Sequence, residues 1–401
     1  MSGTTRIAVL ALVLLVQPGG SRATSLFSMN LLGERLEAGD VHSIALGGSG
    51  QLLQDSLGVL QLNPALLARL PRVTVGVTQF LAIDEGRSTE FAERDISFTF
   101  SSFRAAFPLS RNLIFAIGYR GRYDPGGSFA EREVTPAGDE FTSTFSKSGG
   151  LFSVPLTLAF GLSRFASVGL TFSFEQGFVQ DRQDLVFNDP TFAPSAGIKK
   201  ESFNGNGYAA GVVLYPTASL SVGAMWESAI DYDTEIIERF TPQSVLDTFY
   251  TATARLPSSA GFGVAWQVSE QYLVAGSAAF RDFDGFEGLA FPASRLRREE
   301  SYSIGGEYKK GVRIKGRRYP LRLSFSYEKL PFDQPGSQDV KKFLVGFGTG
   351  IRLSGGRGKV DLAVQGGKVG SINNNGLEDR VFRIYLGISG SEVWKRKTGE
   401  F

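Results

Sequence analysis

His42 and Ser43 stand side by side, and they are the first residues of the chain whose types could do chemistry. A histidine base and a serine nucleophile make an acyl-transfer centre when the imidazole reaches the hydroxyl and a third group orients the ring. Adjacent residues in one short segment are badly placed for that, so His42, the single histidine of the chain, reads as a solvated or packed imidazole. With one histidine and no cysteine, zinc and haem lack their usual ligands. Asp55 and the run Asp231, Asp233, Glu235 and Glu238 offer oxygens to a hard cation, but acidic runs of this kind are ordinarily solvated. Gly47-Gly48-Ser49-Gly50 would suit a phosphate loop if a lysine followed; Gln51-Leu52 follows instead. Glycines there fit close backbone packing and positive φ. No catalytic residue, metal or cofactor is expected, and the chain does not read as an enzyme. Nucleic acid has no electrostatic case either, with 42 Lys plus Arg against 40 Asp plus Glu.

The elements around these residues are more informative. Arg6, the apolar run Ile7–Val16 and the small residues up to Ala23 read as a secretory signal (residues 1–23) cut after Ala23, because the run is far shorter than the ~20 residues a spanning helix needs. Asn63-Pro64-Ala65 opens a helical turn: asparagine caps, proline suits the first helical position, and Leu66, Leu67 and Leu70 can share one face. From Arg72 onward, apolar and polar residues alternate in segment after segment. In 320–328, Leu321, Leu323, Phe325 and Tyr327 oppose Arg322, Ser324, Ser326 and Glu328; in 167–175, Val168, Leu170, Phe172 and Phe174 oppose Ser167, Thr171, Ser173 and Glu175.

Alternation alone fits a soluble sandwich as well as a membrane barrel. Connection lengths decide between them. Strands placed near 73–80, 95–107, 113–123, 150–161, 167–178, 206–214 and 220–229, with seven more from 258 to 388, leave long and short connections in strict alternation. Outer-membrane barrels have that asymmetry, with tight periplasmic turns and extended outer loops such as 124–149, 179–205, 230–257 and 281–299. The reading is an all-β fold: a transmembrane antiparallel β-barrel of about 14 strands over 73–389, an N-terminal plug over 24–72 inside its lumen, and a short basic tail over 390–401. Inward faces then carry Arg120, Arg122, Glu175, Glu307, Arg322, Glu328 and Asp361, which should pair across the lumen or hold the plug. Pro155 lies inside a strand of a closed barrel, where it removes a ladder hydrogen bond, and is expected to kink the strand, with a side opening as the functional possibility.

The run LGGSG at 46–50, Asp55-Ser56 and LNPALLA at 62–68, followed directly by a first strand, resembles the start of the long-chain fatty acid outer-membrane transporter (FadL-like) family. Later stretches, 256–280, 301–311 and 321–332, look like that family's strands, so the resemblance spans nearly all of the chain after the signal. It implies a hatch-gated route for hydrophobic compounds, long-chain fatty acids or similar lipophiles, by passive diffusion, with Gly47, Gly48, Asp55, Asn63, Pro64 and Ala65 in the plug and gate. It also implies the outer membrane of a Gram-negative bacterium, contact with outer-membrane lipid, and insertion by the barrel-assembly machinery. The end of the chain, Trp394-Lys395-Arg396-Lys397, looks more like the related PorV-like branch, whose members handle secreted proteins as shuttle or accessory components. That branch is the alternative.

Overall fold

The computed structural model describes residues 26–37, 39–48, 57–59, 62–89, 92–241, 247–283, 286, 296–333, 338–353 and 356–392. The expected signal, Asp55 with its neighbours 49–56, and the tail from 393 lie outside the described residues.

The alternating segments form one closed antiparallel barrel of fourteen strands. They are β1 (Val73–Ser88), β2 (Ala92–Pro108), β3 (Leu113–Asp124, continued as Gly127–Val134), β4 (Glu140–Gly161) and β5 (Ala166–Phe187). Next come β6 (Ser195–Thr217), β7 (Leu220–Glu227, continued as Ile230–Thr241), β8 (Thr248–Leu256, continued as Ser259–Gln267) and β9 (Tyr272–Asp282). The ring is completed by β10 (Arg298–Ile314), β11 (Arg317–Asp333), β12 (Asp339–Arg352), β13 (Gly358–Ser371) and β14 (Leu377–Glu392). β14 pairs with β1 from Leu377↔Ser88 to Glu392↔Val73, which closes the ring and leaves no first or last edge. The breaks inside β3 and β8 fall at Pro125 and Pro257, whose missing N–H cannot extend a ladder.

The strands are longer than the alternation of apolar outward residues implies. Most of the segments expected as outer loops are strand; β4 and β5 run on to Glu140 and Phe187. The reason is that the pattern inverts along the barrel. In the half with the tight turns, outward side chains are apolar and exposed, among them Leu170, Phe262, Ile304 and Phe347, and inward ones are polar. In the other half, inward Ile230, Tyr232 and Ile236 are buried while outward Asp231, Asp233 and Glu235 meet solvent. The acidic run is therefore one face of a strand and not a loop, and its carboxylates are spread along β7, with Asp231 3.5 Å from Arg255. The apolar outward band marks the lipid-facing height, and the tight-turn end, where β1 begins and β14 ends, is the periplasmic one.

The described N-terminal residues make contacts around the whole inner circumference. A short helix α1 (Val41–Ile44) packs on β12, β13 and β14, and a 3-10 turn (Pro64–Arg69) packs on β3 to β6, with Asn63 just before it reaching β7. Only a segment inside the ring can touch such distant strands at once.

Candidate functional site

Inside the barrel, Asn63 does two jobs. Its Oδ1 accepts the Ala65 N–H at 3.0 Å and so caps the 3-10 turn, while its Nδ2 donates to Ala224 O on β7 at 3.2 Å and reaches Val212 O on β6 at 3.5 Å. Glycines make that seat: a Cβ on Gly211 would lie 2.1 Å from Asn63 Oδ1, and one on Gly169 would lie 2.4 Å from the Pro64 carbonyl carbon. The leucines that follow are buried on two sides and not one, because the tight turn spreads them. Leu66 joins Val213 and Ala275, and Leu67 and Leu70 join Ile114, Ala116 and Ala159. Arg69 lies over the Tyr215 ring.

Gly47 and Gly48 follow α1 with φ of +72° and +77°, the left-handed region that ends a helix and suits glycine. Their N–H groups donate to Ile44 O and Ser43 O. His42 does not turn to Ser43. Its Nε2 lies 3.2 Å from Glu307 Oε1, and α1 is capped by Asp40, which also takes Lys359 at 3.1 Å. Arg322 links this group to the wall, 2.9 Å from Glu307 and 2.8 Å from Asp361.

Two further ionic groups line the lumen. Glu34 binds Lys342 at 2.6 Å and also Arg383, and Arg35 reaches Glu299 at 3.1 Å. Burial pushes the Glu34 carboxyl up, but the Arg383 and Lys342 cations beside it overcome that and bring it down to about 2. Across the lumen, Glu227 is gripped by Arg120, Arg122 and Arg281 at 3.0–3.3 Å, and Arg122 also reaches Glu175 at 3.3 Å. All seven charged residues expected on inward faces are thus placed in these groups, Glu328 through Lys342 at 3.6 Å. Glu227, Arg281, Lys342, Lys359 and Arg383 were not singled out from sequence. Arg383 sits in VFRIYL, apolar on both faces, where alternation gives no inward signal.

The wall itself has a separation. β2 and β3 pair from Ser102↔Arg120 to Pro108↔Ile114; among the described residues, the remainder, 92–101 and 121–134, share no ladder. Instead β3 pairs at Asp124 and Tyr123 with Glu34 and Arg35, and Leu36 N–H donates to Arg122 O at 2.9 Å. Ser101 Oγ on the other lip donates to Glu37 O at 3.0 Å. Gly121 makes the approach possible, since a Cβ there would lie 2.7 Å from Leu36 Cδ1. Ile96 and Phe98 of β2, 58 % and 40 % exposed, flank the separation at lipid height. A cavity of about 140 Å³ adjoins it, reached by Arg35, Leu36, Gly121 and Glu227.

Pro155 is buried on the inward side of β4 and pairs with Ser173 of β5. Toward β3 the ladder passes from Ile117↔Leu156 to Arg120↔Ser153 in unchanged register, with the pairs opposite Pro155 and Val154 missing. The proline loosens β3 just before it turns inward. At the outer end, Phe27, Leu31, Leu32, Phe283 and Phe332 belong to an apolar cluster that holds a pocket of about 40 Å³. Of the outer phenylalanines, Phe283 and Phe286 are buried there, while Phe192, Phe240 and Phe249 are exposed.

A family model described as BamG matches residues 1–399. A search of curated proteins finds no match. Among solved structures, the chain is similar to a Pseudomonas aeruginosa FadL homologue, at 13% identity and a TM-score of 0.63, over 89% of this chain and 99% of that one. It is similar to the Ralstonia pickettii toluene transporter TbuX, at 13% identity and a TM-score of 0.58, over 90% and 99%. It is also similar to the CymD monoaromatic hydrocarbon channel, at 14% identity and a TM-score of 0.56, over 92% and 100%. At such identities the likeness establishes the fold alone, a closed antiparallel barrel like theirs.

Proposed function

This chain belongs to the BamG family, and we propose that it passes hydrophobic small molecules from outside into the outer membrane of a Gram-negative bacterium. The observation that carries this reading is the separation of β2 from β3 at lipid height, bridged by residues 34–37. Unpaired strand backbone facing lipid costs several kcal/mol per group, and it is tolerated at membrane depth where it lines a cavity or meets other protein. A lipophile would enter the apolar outer lumen around Phe27 and Phe332, where each buried CH₂ gains about 0.8 kcal/mol. It would leave sideways once the 34–37 segment moves, so that no charged group in the inner lumen needs to be desolvated. Solved barrels of similar fold carry toluene and monoaromatic hydrocarbons in their names; long-chain fatty acids are the other candidate cargo. In this reading 24–72 is the hatch, Gly47, Gly48, Asn63, Pro64 and Ala65 are plug and gate residues together with Asp55, which lies outside the described residues, and Pro155 eases the bend of β3.

The test is uptake of a labelled long-chain fatty acid, and of labelled toluene, by cells without their own transporter that express this barrel. Asn63→Ala, matched for amount in the membrane, should change uptake at least several-fold. No uptake of either compound by a folded barrel would remove the reading.

A second reading is favoured by the family match and by the ion-paired inner lumen: a barrel that works beside the barrel-assembly machinery or, like the PorV-like branch, on secreted proteins. Defects in other outer-membrane barrels on depletion, with no change in lipophile uptake, would support it.

A further inference from the structure

The tight-turn end of the barrel carries one feature that lipophile transport does not use. β10 and β11 run past their neighbours as a two-stranded ribbon joined by Lys315-Gly316, whose φ values of 48° and 78° are those of a two-residue hairpin turn. β9 stops pairing at Tyr272↔Tyr308, and β12 starts at Arg322↔Gly348. Among the described residues, 310–319 therefore form a ladder only with each other, in the register Val312↔Tyr319, Arg313↔Arg318 and Ile314↔Arg317. Both outer edges of the ribbon are open to a further strand.

Register fixes which way each face looks. Residues two apart on a strand share a face, so Arg318 and its partner Arg313 lie on the side of Arg322, which points into the barrel. Val312, Ile314 and Tyr319 continue the outward side of Leu321 and Leu323. The stacked Tyr272–Tyr308 pair, with centroids 5.1 Å apart, has the character of a membrane-interface girdle. Four residues of β11 beyond that level, at ~3.3 Å each and a tilt of about 40°, carry the turn about 10 Å further along the barrel axis. The headgroup layer is about 5–8 Å deep on each side, so the tip stands through it, in the periplasm. There the two arginines look under the mouth of the barrel and away from lipid. Ile314, 52 % exposed, has passed the depth of the acyl chains that would cover it.

The ribbon is cationic on a chain whose net charge is only +2. Lys309, Lys310, Arg313, Lys315, Arg317 and Arg318 are all exposed, with no acidic residue between them. Arg313 and Arg318 are direct cross-strand partners, a like-charge arrangement that destabilises a ribbon unless an anion lies against it. The same charge runs round the mouth. Arg111, Arg164, Arg352 and Arg357 are exposed on or beside three other tight turns, and among the described residues of that end the exposed carboxylates are Glu270 and Glu392. Such a field steers an acidic protein surface toward the mouth. We propose that the β10–β11 ribbon docks an extended acidic segment of a periplasmic protein, which adds to an open edge as a further strand. Strand addition uses peptide groups for affinity and alternate side chains for specificity. Carboxylates on one face of the added strand meet Arg313 and Arg318, and apolar residues on its other face cover Val312 and Ile314. This docking is independent of lipophile passage.

The test places a photo-crosslinking side chain in the full chain in cells, either at Lys315 on the tip or at Leu321 on the lipid-facing side. Lys315 should give one main protein adduct and Leu321 only lipid. The captured protein, identified by mass spectrometry and purified, should bind the full chain in nanodiscs of phosphatidylethanolamine, and less tightly as salt rises. Arg313→Glu with Arg318→Glu should weaken that binding about ten-fold or more. Arg313→Lys with Arg318→Lys should keep most of it. If the glutamate variant does not fold, lysines in place of the partner's crosslinked carboxylates should weaken binding to the unaltered barrel by a similar factor. No protein adduct at Lys315, or adducts with lipid alone, would overturn the proposal. So would a crosslinked segment without alternating carboxylates, or binding that neither salt nor the charge reversals alter.

Discussion

Asn63 shows how one side chain can fasten a segment to a wall. Its amide both caps the 3-10 turn and bonds two barrel strands, so Asn63→Ala loses a cap and leaves the Ala224 carbonyl without this donor. A loss of about 2 kcal/mol in the docking of 62–70 is expected, read as faster hydrogen exchange there with the barrel strands unchanged. Glu34 gives a pH dependence with a definite sign. Its carboxyl sits at about 2 in the folded chain against an ordinary 4.5, so its stabilisation is complete above 4.5 and is lost as pH falls toward 2. Thermal unfolding across that window should show a drop that Glu34→Gln removes. Glu227 should be less forgiving, because Glu227→Ala takes a shared carboxylate from three buried or half-buried arginines and leaves Arg122 only Glu175 as an ion-pair partner; a cost of about 3 kcal/mol or more is expected, measurable as a lower temperature for the heat-dependent gel shift of the barrel. At this scale the sequence was legible where alternation was clean. Arg322 and Glu328 could be placed inward because leucine and aromatic residues flank them on the other face, whereas Lys342 follows a second lysine, Lys341, near the start of β12, and Arg383 sits among apolar neighbours on both sides.

Among the elements, β3 is the one that departs from the ring, and its departure has local causes. Gly121 has no side chain to hold Leu36 away, Pro125 interrupts the strand, and Pro155 on β4 withholds a donor where the bend begins. Gly121→Leu should push the 34–37 segment off its place and alter uptake, with β content unchanged by circular dichroism. Pro155→Val should restore the β3–β4 ladder, straighten β3 and slow uptake; an unaltered rate would confine the proline to a harmless interruption. The existence of all fourteen strands was readable from period-two patterning, and their ends were not. Above lipid height the apolar face turns inward, as at Ile230 and Tyr232, and a pattern sought on the outward face stops there. The separation of β2 from β3 leaves no mark in composition. It depends on which backbone groups find partners, and pairing is a property of the folded ring.

On the scale of the whole molecule, the barrel has two tiers. The periplasmic half is apolar outside and ion-paired inside, and the outer half is apolar inside and wetted outside. On the proposed route, a lipophile that follows apolar surface would descend only to the level of Leu36 and the β2–β3 separation and would turn there sideways into lipid. The most direct test of that route staples the segment to the wall. Arg35 and Tyr123 are paired across the ladder, and the chain has no cysteine of its own, so Arg35→Cys with Tyr123→Cys gives a single disulfide that can be opened and closed in the same protein. Labelled fatty acid and toluene uptake should be measured in cells carrying that variant, oxidised and then reduced. Uptake is expected in the reduced barrel and at a several-fold lower rate in the oxidised one; equal rates in the two states would rule out a sideways route past the 34–37 segment.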